Sequence, residues 1–106
     1  MFVHYCSSDT WSGTRQADEE TGGYYFFGRH IFGSVIQSLK ENFNLLDATT
    51  VVLTGTSAGA QGVTWNCDAF AEWVWAQNPA VDVRCMPNAP EYYPPQARIY
   101  SPSLLV

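Results

Sequence analysis

A stretch rich in β-branched residues runs directly into a glycine-flanked turn, and this junction restricts the fold more than any other feature of the sequence. Residues 49–54 carry no charge and do not alternate between apolar and polar side chains, which predicts a strand covered on both faces in a parallel sheet. Residues 55–59 then read Gly-Thr-Ser-Ala-Gly, and residues 60–77 repeat apolar side chains at helical spacing. The junction therefore predicts a strand, a tight turn and a helix in immediate succession.

The flanking segments extend this pattern into an α/β architecture. Residues 24–42 carry an apolar face at four-residue spacing, which predicts an amphipathic helix that ends within Asn42-Phe43-Asn44. Asn78-Pro79 should stop the second helix, because the residue before a proline avoids helical backbone angles. Residues 81–85 predict another strand, and residues 2–5 could form the end of one. The predicted fold is a βαβ unit of a parallel sheet with flanking helices, preceded by a further helix.

Gly55-x-Ser57-x-Gly59 in this context is typical of a nucleophile elbow, the sharp strand-to-helix turn that exposes a catalytic serine. Ser57 would occupy the apex in strained backbone, with its hydroxyl clear of the sheet. Gly55 and Gly59 are predicted to be required, because a side chain at either position would collide with the neighbouring strand or helix. The N–H of Ala58, at the positive end of the helix, would face a developing oxyanion.

Other interpretations of these segments stay open at this point. The turn could link strand and helix without any chemistry. A phosphate-binding turn is weaker, because the Gly-x-x-x-x-Gly-Lys and Gly-x-Gly-x-x-Gly spacings are both absent. Trp65, Trp73 and Trp75 could suggest a ligand platform, but their uneven spacing predicts packing in a core or an interface.

A serine is a weak nucleophile without a base, so the positions of the histidines and acids matter. His4 and His30 both precede Ser57, whereas an α/β-hydrolase triad runs Ser, then Asp or Glu, then His. We predict a strand-end position for His4 and a helix-surface position for His30. The acids after the turn are Asp68, Glu72, Asp82 and Glu91. None of them is predicted to be the triad acid, and we predict neither a metal nor a cofactor.

Length, charge and cysteine content exclude several functional classes. The 106 residues fit one domain or part of one. The net charge of -5 argues against nucleic acid or an anionic membrane as partner, since both attract a cationic face. No apolar run approaches the roughly 18 residues of a membrane span, and the N-terminus lacks the pattern of a signal peptide. Cys6, Cys67 and Cys85 leave the disulfide pairing open, and their odd number hints at an incomplete chain.

Residues 5–13, Tyr-Cys-Ser-Ser-Asp-Thr-Trp-Ser-Gly, resemble a signature of the Notum and pectin acetylesterase family of α/β-hydrolase carboxylesterases. The Gly-Thr-Ser-Ala-Gly of residues 55–59 is similar to the Gly-x-Ser-Ala-Gly elbow of that family. Gly62-Val63, Asn66 and Asp68 continue the likeness along the helix, and residues 81–84 resemble the next strand. The first motif favours Notum-like members.

This resemblance implies hydrolysis of an O-acyl ester through an acyl-enzyme, with Ser57 as the nucleophile and the N–H of Ala58 as an oxyanion donor. The substrate would be an acetylated polysaccharide or an acylated, secreted signalling protein, and the parent protein would be extracellular. The triad Asp and His of the family would follow beyond Val106. Its further oxyanion donors would lie upstream in a Gly-rich loop that has no match in this chain.

The end of the chain departs from the family, because Pro87-Asn88-Ala89-Pro90 replaces its usual Asp-x-Gly-aromatic stretch. We therefore predict a partial α/β-hydrolase domain over residues 1–86 and a Pro-rich irregular tail over residues 87–106. The chain is interpreted as a fragment of a serine esterase that is inactive in isolation, for lack of the triad Asp and His. The alternatives are a non-catalytic α/β remnant that packs or binds, and an acyl-binding module built on the aromatic residues.

Overall fold

The computed structural model describes residues 1–88, which form two helices and a two-stranded parallel sheet. Helix α1 spans Gly28–Phe43, a short 3-10 turn spans Leu45–Asp47, strand β1 spans Thr50–Thr56, helix α2 spans Ala58–Trp75 and strand β2 spans Asp82–Asn88. The two strands pair in parallel, in a register that runs from Thr50 opposite Asp82 to Thr56 opposite Asn88. The predicted βαβ unit of an α/β fold, with a helix in front, is confirmed.

Helix α1 begins at Gly28 rather than at residue 24, where the apolar periodicity begins. Phe26 forms an antiparallel bridge with Arg15: its carbonyl accepts from the N–H of Arg15 at 2.9 Å, and its own N–H donates back at 3.0 Å. This bridge keeps the preceding aromatic residues out of the helix. At the other end, Asn44 adopts left-handed backbone with φ of 53°, so the predicted helix end is confirmed.

The other boundaries shift by a few residues. Both strands run further than predicted, β1 to Thr56 and β2 to Asn88, because each added residue finds a partner on the other strand. Pro87 and Asn88 of the predicted tail thus belong to β2, and residues 89–106 lie outside the described residues. Residues 2–5, considered as the end of a strand, have no regular structure, since neither β1 nor β2 pairs with them.

One hydrophobic core lies between α1, α2 and one face of the sheet. Its buried members are Ile36, Leu45, Phe70, Val74 and Val81. Phe70 of α2 meets Phe32 of α1 edge to face, with ring centres 6.2 Å apart. The three tryptophans of α2 divide: Trp73 packs against this core as predicted, whereas Trp65 and Trp75 are about half exposed.

Only one face of the sheet is covered by residues 1–88, although the sequence predicts a strand covered on both. Val51, Leu53 and Val83 pack against the core, while Val52 and Met86 on the opposite face remain 47% and 59% exposed. The reason is that α1 and α2 both contribute to the core on the same side of the sheet. The lack of alternation in β1 therefore does not translate into burial within this part of the chain.

A disulfide between Cys67 and Cys85 joins α2 to β2, and Cys6 is free and exposed. Of the pairings that the sequence leaves open, the structure thus selects the one that closes the βαβ unit. Within residues 1–88, no helix combines the length and the apolar character needed to cross a membrane.

Candidate active site

Ser57 alone forms the junction between β1 and α2, because the strand ends at Thr56 and the helix begins at Ala58. Its backbone has φ of 56° and ψ of −119°. Non-glycine residues rarely adopt such a conformation, which costs about 1–3 kcal/mol. A serine at this position of a helix normally accepts a hydrogen bond from the first turn, but the Ser57 side chain makes none, and the residue is exposed. Its hydroxyl is therefore available to another partner.

The chain can turn sharply at Ser57 because the backbone segments on either side of it come very close. A Cβ added to Gly55 would lie 2.5 Å from the carbonyl carbon of Gly59, a backbone atom that cannot move aside, so a side chain collides there as the sequence predicts. At Gly59 the predicted collision is absent, because an added Cβ would meet no described atom within 4 Å. Gly59 contributes instead the backbone that approaches Gly55.

The first turn of α2 presents N–H groups beside Ser57. The carbonyl of Ser57 accepts hydrogen bonds from the N–H groups of Ala60, at 2.9 Å, and Gln61, at 3.2 Å. The N–H groups of Ala58 and Gly59 have no acceptor in the part of the chain that the structure describes. No acidic residue lies in this turn, so the positive end of the helix dipole is not neutralised by a side chain. A negative charge developing next to Ser57 would be stabilised.

Neither histidine hydrogen-bonds to Ser57 within residues 1–88. His30 is exposed on α1 and meets Phe27 edge to face, with ring centres 5.2 Å apart, so its predicted helix-surface position is confirmed. His4 is exposed too, against the ring of Phe2 at 5.1 Å. Its predicted strand-end position is wrong, because the chain forms no strand at His4.

The acids that follow Ser57 do not contact it among the described residues. Asp68 and Glu72 are exposed on α2, and the carboxylate of Asp82 accepts a 2.8 Å hydrogen bond from Arg84 Nε. Glu91 lies outside the described residues. Over the described range, no three His, Cys, Asp or Glu side chains come together as a metal site would need.

Two open grooves of about 650 and 550 Å³ run along α1, and His30, Ser34 and Ser38 line both of them. Ser57 lines neither groove. The described residues thus present Ser57 on an open surface rather than inside either groove.

Asp9 organises residues 5–13, which we call the Asp9 loop. Its carboxylate accepts hydrogen bonds from Ser7 Oγ at 2.5 Å, from the N–H of Trp11 at 3.1 Å and from the N–H of Gly28 at 2.7 Å. Partial burial raises the pKa of Asp9, but these bonds and one from Gly13 outweigh it, so the pKa lies below its usual value. Because Gly28 is the first residue of α1 and Phe27 offers no capping side chain, Asp9 caps this helix from a distance.

Trp11 attaches the Asp9 loop to the second turn of α2. Its side chain is buried, and its Cδ1 would lie 2.5 Å from a Cβ at Gly62, so glycine permits this close contact. Asn66 is also buried, and its Nδ2 donates to the carbonyl of Trp11 at 3.1 Å and to that of Gly62 at 2.8 Å. The Asp9 loop is therefore in direct contact with the helix that follows Ser57.

No sequence pattern assigns a role to Asp9 or Trp11, and Asn66 stands out only in the likeness to the esterase family. The sequence contains one weak signal of this contact: Gly62 and Asn66 are one helical turn apart and share a helix face. The partners themselves are distant, since Asp9 reaches Gly28 across 19 residues and Asn66 reaches Trp11 across 55. Local rules for caps and helix pairs do not extend that far.

Comparison with known proteins places the chain beside one family of esterases. The family model described as Pectinacetylesterase matches residues 1–98. This match continues past residue 86, the predicted end of the domain.

Individual relatives agree with the family match. The chain is 40% identical over 68 residues to the palmitoleoyl-protein carboxylesterase NOTUM of Schmidtea mediterranea, which covers 64% of this chain and 12% of the relative. It is 42% identical over 74 residues to the palmitoleoyl-protein carboxylesterase notum2 of Xenopus laevis, and this alignment covers 70% of this chain and 15% of the relative. It is 39% identical over 85 residues to the human palmitoleoyl-protein carboxylesterase NOTUM, and this alignment covers 79% of this chain and 17% of the relative. The chain thus spans a small part of the length of these relatives.

Proposed function

Because this chain belongs to the pectinacetylesterase family, we propose that it carries the nucleophile elbow of a serine carboxylesterase that hydrolyses O-acyl esters. The observation that supports this most is the backbone of Ser57, with φ of 56° and ψ of −119° between β1 and α2 and an exposed side chain. A strained strand-to-helix turn of this kind lifts the nucleophile of α/β-hydrolases clear of the sheet. Gly55 and Gly59 allow the turn, Ser57 is the nucleophile and Ala58 is an oxyanion donor.

The proposed reaction proceeds through an acyl-enzyme. Ser57 Oγ attacks the carbonyl carbon of the ester while a histidine accepts its proton, and the N–H of Ala58 stabilises the oxyanion of the tetrahedral intermediate. The bond to the alcohol then breaks, and the histidine returns the proton to the leaving oxygen. Water, activated by the same histidine, attacks the acyl-enzyme, releases the acid and restores the serine. We place this histidine and its acidic partner outside these 106 residues, after Ser57, in the family order.

Two substrate classes are consistent with the comparisons. The description of the family model favours acetyl groups on a polysaccharide, and the names of the relatives favour an acyl group on a protein. Either substrate is compatible with a secreted protein. The Cys67–Cys85 disulfide supports that location, because disulfides persist in oxidising compartments.

The test compares the protein made from the complete coding sequence with the 106-residue chain, using p-nitrophenyl acetate and p-nitrophenyl octanoate. We expect turnover by the complete protein and little or none by the chain alone, which lacks the base. Ser57→Ala should lower kcat of the complete protein by at least about a thousandfold. Ser34→Ala is the matched control, since Ser34 is an exposed serine on α1 whose hydroxyl donates to the carbonyl of His30.

The outcomes separate the candidate functions. Full activity of Ser57→Ala would refute the assignment of the nucleophile. Ser57-dependent turnover by the 106-residue chain, at the rate of the complete protein, would refute the placement of the catalytic base outside these residues. A complete protein without activity on any ester would favour the second candidate, a non-catalytic α/β module that packs or binds.

A further inference from the structure

We propose that Asn66 is a positioning residue for Ser57: it fastens the Asp9 loop to α2 and thereby maintains the strained turn at the start of that helix. The proposal rests on the proposed function, in which Ser57 is the nucleophile. Its structural half concerns the shape of the turn, which can be measured without any turnover.

Asn66 is a buried polar residue, 4% exposed, on the third turn of α2. Its Nδ2 donates to the carbonyl of Trp11 in the Asp9 loop and to the carbonyl of Gly62 in its own helix. Buried polar groups are costly to leave unpaired, so loss of this donor would leave the Trp11 carbonyl without its partner and loosen the loop from the helix.

The Asp9 loop is itself fixed, which makes it an effective anchor. The carboxylate of Asp9 accepts a hydrogen bond from the N–H of Gly28 at the start of α1. Within the loop, the hydroxyl of Tyr5 accepts a 2.8 Å hydrogen bond from the N–H of Thr10. Asn66 therefore connects α2 to α1 through a loop that is bonded to both helices. The neighbouring residue, Cys67, connects α2 to β2 through the disulfide.

The turn at Ser57 needs such anchors, because a strained backbone conformation persists only where its surroundings determine it fully. On the strand side, the backbone of Gly59 lies close against Gly55 and leaves the turn little room to rearrange. On the helix side, α2 is held by the disulfide at Cys67 and by the contact of Asn66 and Gly62 with Trp11. Without the loop contact, the first turns of α2 could shift and the backbone of Ser57 could relax.

Amide hydrogen exchange tests this directly, because the N–H groups of Ala60 and Gln61 donate to the carbonyl of Ser57. In the protein made from the complete coding sequence, Asn66→Asp should speed exchange at both amides by about tenfold. Asn42→Asp is the matched control: Asn42 Nδ2 also donates to a carbonyl four residues earlier, that of Ser38, but on the exposed α1 surface. We expect that variant to leave the two amides unchanged.

Kinetics supply the second readout. In Asn66→Asp, kcat per active site, titrated with a fluorophosphonate, should fall by about tenfold, with KM unchanged. A residue with a merely structural role would lower the melting temperature and the number of active sites, but not kcat per titrated site. If Asn66→Asp does not fold, Gly62→Ala serves instead, since its Cβ would displace Trp11.

Two results would overturn the proposal. The first is faster exchange in the Asp9 loop with unchanged exchange at Ala60 and Gln61. The second is unchanged kcat per titrated site. If Ser57→Ala keeps its activity, the proposed function fails, but the exchange measurement still decides whether Asn66 maintains the turn.

Discussion

Removing the Cys67–Cys85 disulfide should lower the free energy of unfolding by about 3 kcal/mol. The bridge closes a segment with a sequence separation of 18 residues, which contains the end of α2 and the start of β2. For a loop of that length, the chain-entropy relation gives a loss of about 11 cal/mol/K in the unfolded state, or about 3 kcal/mol at 25 °C. Domains are typically stable by about 5–15 kcal/mol, so this is a large share.

Urea unfolding followed by tryptophan fluorescence measures the effect. The four tryptophans are Trp11, Trp65, Trp73 and Trp75, and they report on the Asp9 loop and on α2. The double variant Cys67→Ala/Cys85→Ala avoids a new unpaired thiol that could exchange with Cys6. With a urea slope of about 1–3 kcal/mol/M, its midpoint should fall by about 1–3 M.

The control is Cys6→Ala, because Cys6 is exposed and makes no disulfide. Its unfolding midpoint should match that of the wild type. A loss below about 1 kcal/mol in the double variant would refute the entropic reasoning. So would an equal loss in Cys6→Ala, or a wild-type midpoint that reductant does not change.

Two further predictions concern the turn and the Asp9 loop. Gly55→Ala should destabilise the protein by about 3 kcal/mol, because its Cβ meets the backbone of Gly59. Gly59→Ala should change stability by less than about 1 kcal/mol, because its Cβ meets no described atom. Thermal unfolding of the two variants distinguishes them, and equal losses would contradict the steric argument. Asp9 has a lowered pKa in the folded state, so its carboxylate stabilises the fold above its unfolded pKa of about 3.9, and this contribution is lost as pH falls through the lower folded value. Asp9→Asn should therefore remove part of the acid sensitivity of the melting temperature. Asp18→Asn is the control and should remove less, because Asp18 forms an exposed ion pair with Arg15. Melting temperatures of wild type and Asp9→Asn that fall identically with pH would contradict this prediction.

The order of the elements could be predicted because each of them has a local signal. Residues 49–54 and the helical repeat after them locate the end of β1 and the start of α2 to within two residues. The position of Ser57 at their junction follows from that. The strain of its backbone was expected from the turn type, and the value of φ could come only from the structure.

The remaining features depend on contacts between distant residues. The start of α1 is set by the bridge of Phe26 to Arg15 and by the cap from Asp9, neither of which a periodicity reveals. Three cysteines allow three pairings, and only the crossover that brings α2 beside β2 selects one of them. The exposure of Val52 has a similar origin. The apolar side chains of β1 show that either face of the strand can be buried, but they do not show on which side of the sheet the helices lie.

The contacts that fix the turn at Ser57 come from far along the chain. Asn66 reaches Trp11 across 55 residues, and the hydroxyl of Thr54 reaches the carbonyl of Met86 across 32. Contacts of such separation form slowly, because the entropy of loop closure is lost before any interaction is gained. The turn should therefore acquire its shape late in folding, after β2 has docked. A nascent chain still short of β2 would contain the serine without the geometry that sets its hydroxyl apart.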